Sequence, residues 1–235
     1  MLNSRQRQQV ESTLNQRDYI DTEAVRGFLD DIWYPLCFLD FETFMEAVPP
    51  FDGCRPYRQI PFQYSLHIQN STDSALNHYA YLAEPGKDPR KEILDTLLGR
   101  IPEGACIIAW NQSFEIGVLQ RLADYFPDKS LQIERWVENF RDLMQPFRSR
   151  DIYLWQAKGS YSIKPILPIL APELSYENLE GVSNGGDAME AYHQMNNSDD
   201  SVEVERIRSE LLEYCKLDTL AMVRILDKMR KLVET

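Results

Sequence analysis

The sequence predicts an α/β sandwich, one mixed β-sheet covered by α-helices, and three observations lead there. Short apolar runs at Leu36–Glu42 and Ala105–Trp110 have the length and character of buried strands. Two alternating runs, Ile60–Ile68 and Asn77–Ala83, come directly after the first and look like its antiparallel neighbours. Beyond Asp88 the pattern is mostly helical, interrupted by the second buried strand. This order lacks the strict strand–helix alternation of a doubly wound fold.

The elements follow in order. Residues 4–33 have the pattern of amphipathic helix. Ser4 can cap its start. Asp21-Thr22-Glu23 opens a second segment with Val25, Phe28, Leu29 and Ile32 at helical spacing. Tyr34-Pro35 breaks it. This gives an N-terminal helical extension, 1–33, ahead of a main domain, 34–235. A loop rich in Pro and Gly, Val48–Pro56, separates the first two strands. Pro85-Gly86 marks a turn, and Asp88 caps a helix with Pro89 at its first position, running to Leu98. Further helices are expected over Ser113–Tyr125, Leu131–Asn139, Lys164–Leu170 (capped by Ser162), Asp187–Met195 and Val202–Val233. Asp151–Tyr161 carries no clear pattern.

Composition narrows the class. With 235 residues, 43% hydrophobic, the chain can bury one sizeable core. No apolar run is long enough to span a bilayer, and Met1 through Glu11 lacks the apolar stretch of a secretory signal. A cytoplasmic location is expected. The four cysteines form no Cys-x-x-Cys pair, and the three histidines are scattered, which excludes the common zinc spacings. The net charge of −12 argues against a polyanion partner unless carboxylates gathered for cations account for part of it.

One set of acids stands out. Asp40 and Glu42 are two apart on a strand, so they share a face, and two carboxylates on an apolar strand need a cation or solvent. Glu115 sits one turn into the helix that follows the second buried strand, four positions after Asn111. In an open α/β sheet, groups at the ends of adjacent strands meet in one crevice. Tyr214 and Asp218 are spaced i, i+4 among apolar neighbours of the last helix. Each feature alone has a bland account: a solvated strand end, a first-turn acid matching the helix dipole, a tyrosine beside a surface acid. Their order and context together carry the weight.

That combination resembles the DEDD exonucleases of the ribonuclease H-like superfamily. Asp40-Phe41-Glu42-Thr43 matches the first motif, and Asn111-Gln112-Ser113-Phe114-Glu115 matches the second except at its last residue. Tyr214-Cys215-Lys216-Leu217-Asp218 matches the third in its tyrosine form. Phe38–Gln63, Gly159–Lys164 and Leu212–Thr219 are also similar to an uncharacterised bacterial family of predicted ribonuclease H-like nucleases, in which the second motif likewise ends in Phe-Glu. The similarity covers roughly residues 34–230. It implies a ribonuclease H-like mixed sheet flanked by helices. It also implies 3′→5′ removal of nucleotides from single-stranded or frayed DNA or RNA by two-metal-ion hydrolysis with Mg²⁺ or Mn²⁺. Asp40 would bridge both ions, Glu42 and Asp218 would complete one site, Glu115 would serve the other, and Tyr214 would orient the attacking water.

Substrate contacts are expected from Thr43 and Phe44 after the first motif, with Met45 as an alternative wedge against a base. Arg55 and Arg58, with Tyr57 between them, could grip phosphate from the following loop, as could Lys164. Asn111 either binds the nucleotide or simply ends a strand. Asp142 is expected at a helix cap and His193 at the surface. The competing class is a non-catalytic ribonuclease H-like module for nucleic-acid or protein binding, favoured by the acidic charge and by Glu at position 115. The same charge suggests that another protein supplies the grip on nucleic acid.

Overall fold

The computed structural model describes residues 2–179 and 181–234. Met1, Glu180 and Thr235, which fall inside the expected domain bounds, lie outside the described residues. Asn3, not Ser4, caps the first helix, α1 (Ser4–Asn15): its side chain accepts from Gln6 N, and the Gln6 side chain returns the bond. Gln16 turns left-handed and ends α1. The expected helical stretch is therefore split. A short strand, β1 (Tyr19–Ile20), fills the gap, and Asp21 caps α2 (Thr22–Asp30) by accepting from Ala24 N.

The main body begins with β2 (Leu36–Phe44), β3 (Ile60–Gln69) and β4 (Asn77–Leu82). Then come α3 (Arg90–Leu98), β5 (Cys106–Ala109), α4 (Gln112–Tyr125) and α5 (Ser130–Glu138). Pro89 stands before α3 rather than inside it, where Asp88 Oδ1 accepts from Arg90 N at 3.1 Å. Next come β6 (Phe140–Asp142) and α6 (Gln145–Ser149), and the stretch without a clear pattern, 151–161, folds as β7 (Ile152–Tyr153) followed by a single 3-10 turn, Trp155–Ala157. Helices α7 (Ile163–Leu170), α8 (Gly185–Asn197) and α9 (Ser201–Val233) complete the chain. Ser162 precedes α7 but makes no side-chain cap bond.

The sheet is mixed, with strand order β4-β3-β2-β5-β6. β3 runs antiparallel to both β2 and β4, while β5 is parallel to β2 and to β6. Only β3 neighbours β2 on the antiparallel side; β4, expected beside β2, pairs with β3 instead. The small β1–β7 ribbon ties the N-terminal segment to the main body, through Tyr19–Tyr153 and Ile20–Ile152.

Alternation along β2 sorts the core into layers. Leu36 and Phe38 enter a cluster with Val25 of α2, Ile166 and Leu167 of α7, and Met222 and Leu226 of α9. Cys37, Leu39 and Phe41 enter the opposite cluster, with Leu94 of α3, Leu119 of α4 and Trp136 of α5. Helices thus cover both faces of the sheet. Asp40 and Glu42 extend the Leu36–Phe38 row toward the layer that holds α7 and α9. Among the described residues, no helix is long and apolar enough to cross a membrane.

Candidate metal centre

The carboxylates converge where strand alternation and helix periodicity bring them. Asp40, Glu42 and Asp218 each offer an oxygen, and these oxygens lie within 4.8 Å of one another. Asp218 arrives from α9, which packs across β2 and β3. Glu115 reaches in from the opposite layer, because the first turn of α4 follows directly from the end of β5. Asn111 makes that junction. It adopts a left-handed conformation (φ 72°), one that asparagine tolerates better than most residues. Its N–H donates to Asp142 Oδ1 at 3.0 Å, and Ser113 Oγ donates to its side chain at 2.7 Å. The same Asp142 oxygen accepts from Met144 N, so this buried acid braces the ends of β5 and β6.

A cleft of about 280 Å³ gathers Asp40, Glu42, Asn111, Glu115, Lys164, Tyr214 and Asp218, and among the described residues Lys164 is the one cation on its walls. Trp110, Phe114, Ile163 and Met222 supply apolar wall, and Gly185 brings the first turn of α8 against Glu42. Lys164 Nζ donates to Ser183 O and stands 5.7 and 5.8 Å from the ring centroids of Tyr176 and Tyr214.

Electrostatics report crowding. Burial, then the nearby Asp218 charge, holds the Asp40 carboxyl well above the usual range. Burial and then Asp40 do the same to Glu42 and to Glu115. Asp218 is pushed up to about 6 by burial, against the pull of the Tyr176 and Tyr214 hydroxyls. Glu115 is 2% exposed, and its Oε2 is buried with no hydrogen-bond partner among the described residues. Like charges held together in a buried cluster are costly unless cations join them. Hard oxygen donors and an orphaned buried carboxylate oxygen fit Mg²⁺ or Mn²⁺.

Other sequence-predicted contacts lie elsewhere. Thr43 is half-buried on β2 opposite Pro61 and is not part of the cleft wall. Phe44 is 3% exposed and packs among Phe51, Phe62 and Tyr192, which withdraws it from any nucleotide. Arg55 stands exposed in the loop after β2, whereas Arg58 pairs with Asp124 at 2.5 Å and lies over Tyr125. Met45 and Tyr57 are exposed. His193 is half-buried against Glu46 and the Phe44 ring.

Two residues at the centre escaped sequence reasoning. Tyr176 Oη donates to Asp218 Oδ1 at 2.5 Å from the connector between α7 and α8. It follows no spacing rule relative to Asp218, so no sequence signal marks it. Cys215, wholly buried, points its thiol at Asp40 Oδ2, 3.4 Å away. Its place between Tyr214 and Asp218 was the available hint. Behind Asp218, Thr219 Oγ1 lies 2.7 Å from both Ser65 Oγ and His67 Nδ1 and fixes α9 to β3.

Comparison with known proteins places the chain among relatives whose names assign no activity. The "Uncharacterized protein MG366 homolog" of Mycoplasma pneumoniae is 27% identical over 224 residues, covering 86% of this chain and 34% of that protein. The "Uncharacterized protein UU173" of Ureaplasma parvum is 25% identical over 218 residues, covering 84% of this chain and 31% of that protein. The chain spans about a third of the length of the curated relatives it matches. A family model described as a domain of unknown function (DUF2779) matches residues 37–162, more than half of the chain. The chain belongs to the DUF2779 family.

Proposed function

We propose that the chain is a metal-dependent nuclease, removing nucleotides from the 3′ end of single-stranded or frayed DNA or RNA. The observation that carries this reading is the meeting of four carboxylates from β2, α4 and α9 in one cleft with a single lysine. The sheet order, with β2 flanked by antiparallel β3 and parallel β5, supports a ribonuclease H-like fold.

In this proposal Asp40, Glu42 and Asp218 would hold one Mg²⁺ or Mn²⁺ ion, with Glu115 available to a second. Such ions would supply charge neutralisation at the phosphate and a more acidic attacking water. The side chains do the rest. Tyr214 orients water through its hydroxyl, which burial and then the Asp218 charge keep protonated far above neutral pH. Lys164, which also lines the cleft, meets the phosphate. The Trp110 and Phe114 walls exclude water and take apolar parts of the nucleotide.

Phe44 is buried and Arg58 is tied to Asp124, so Lys164 and the exposed Arg55 are the expected cationic contacts left to hold a strand. Together with the net charge of −12, this supports a partner protein, or the rest of a longer chain, that supplies the grip. A cytoplasmic setting belongs to the same reading, supported by four unpaired cysteines, three of them buried. The test is Mn²⁺-dependent release of nucleotides by wild type and by Asp40→Ala protein of unchanged circular dichroism. Activity that survives the substitution rules the assignment out.

A further inference from the structure

We propose that Tyr176 is a positioning residue for the metal centre: its hydroxyl locks the Asp218 carboxylate in the orientation that a cation needs. This rests on the metal-site reading above and adds a residue that no motif contains.

Repulsion acts on Asp218 from two sides. Asp218 shares a space of 4.8 Å with the Asp40 and Glu42 oxygens. A carboxylate turns freely about its last side-chain bond. With two anions in front of it, Asp218 gains by turning away, and nothing on its own helix prevents that except Tyr214. Tyr176 does prevent it. Its hydroxyl donates to Oδ1 at 2.5 Å, the short distance of a charge-assisted O–H···O⁻ bond. One oxygen is thereby fixed, and the other keeps its direction for a cation.

Tyr176 is itself held. Its ring packs against both core clusters that border α9 and lies 6.3 Å from the Tyr214 ring. Lys164 Nζ stands over the two rings together. Ser175 Oγ, one residue before, accepts from Glu177 N and closes a local turn. The donor therefore comes from a connector held by its own turn and by Lys164 of α7 as well as by α9. Such a partner orients a ligand rather than merely touching it, and loss of one typically weakens metal binding about 10–100-fold.

The experiment measures Mn²⁺ binding by electron paramagnetic resonance for wild type, Tyr176→Phe, Asp218→Ala and the double variant, with melting in EDTA as a check of folding. The expected result is Mn²⁺ affinity about 10–100-fold weaker in Tyr176→Phe, a melt in EDTA that stays cooperative, and no further loss of affinity when the tyrosine is replaced in the Asp218→Ala background. Saturating Mn²⁺ should also restore cleavage by Tyr176→Phe, a rescue that a misfolded site would not show. Equal Mn²⁺ affinity in wild type and Tyr176→Phe overturns the inference and leaves the nuclease reading standing. Equal losses in both backgrounds overturn it too, because the tyrosine would then act without Asp218. Absence of Mn²⁺ binding by wild type overturns the metal-site reading and, with it, this role.

Discussion

Asp40→Asn should stabilise the metal-free protein at neutral pH, although it removes the residue at the heart of the proposed chemistry. Asp40 faces Glu42, Asp218 and Glu115, and the first two bring oxygens within 4.8 Å. At that separation and an effective dielectric of about 20, two full charges repel by about 3.5 kcal/mol. Proton uptake caps the cost. Keeping one carboxyl protonated at pH 7.5, about 3.5 units above its ordinary value, costs about 5 kcal/mol. Removing the Asp40 charge relieves part of this, about 2–4 kcal/mol, or about 5–10 °C in Tm for a chain of this size. The sign follows from linkage. Burial raises all four carboxyls in the folded state, Asp218 to about 6. Between about pH 4 and these raised values the folded chain holds more protons than the unfolded one, so this cluster's contribution to stability falls as pH rises. The advantage of Asp40→Asn should be small near pH 4.5 and grow toward pH 7.5. Scanning calorimetry in EDTA at both values measures it. A variant that melts below wild type at pH 7.5 refutes the idea that these buried acids crowd one another.

Three further outcomes follow from the same geometry. Mn²⁺ at about 100 times its dissociation constant should stabilise wild type by about 2.7 kcal/mol in a thermal melt, and should do nothing for Asp40→Ala. Thr219→Val should cost about 1–3 kcal/mol in urea unfolding, because Ser65 and His67 each lose a bond of 2.7 Å inside the core. Phe44→Ala should cost about 3–5 kcal/mol in the same assay, as expected of a ring packed in the core rather than one waiting for a nucleotide.

The sequence revealed the long elements and the acids, for physical reasons that also explain its failures. β2 was legible because a buried strand is continuously apolar, and Asp40 and Glu42 break that pattern on one face. α9 was legible because 33 residues hold one helical period. β6 and β7 were not, since strands of three and two residues are too short to show a period. Phe44 was expected near substrate by its place after the first motif. The β2–β3 register shift skips Phe62 on β3, and Phe44, on the same face of β2 as Glu42, is covered by Phe62 and Tyr192 of α8 instead of facing the cleft. Arg58 looked free because its partner, Asp124, lies 66 residues away. Tyr176 was invisible for the same reason: its link to Asp218 spans 42 residues and no helix or strand sets the distance. Glu115 came from the motif. Its orphaned oxygen and its approach from the opposite layer are facts of the fold.

The central claim is that four carboxylates gathered from three elements serve to cleave phosphodiesters from the 3′ end. The measurement that tests it most directly is digestion of single-stranded DNA and RNA, labelled at the 5′ or the 3′ end, by wild type and Asp40→Ala with Mn²⁺ or EDTA. The account predicts immediate loss of the 3′ label and stepwise shortening of 5′-labelled strands by wild type with Mn²⁺ alone. Strands left intact by wild type, or shortened equally by Asp40→Ala, would contradict it.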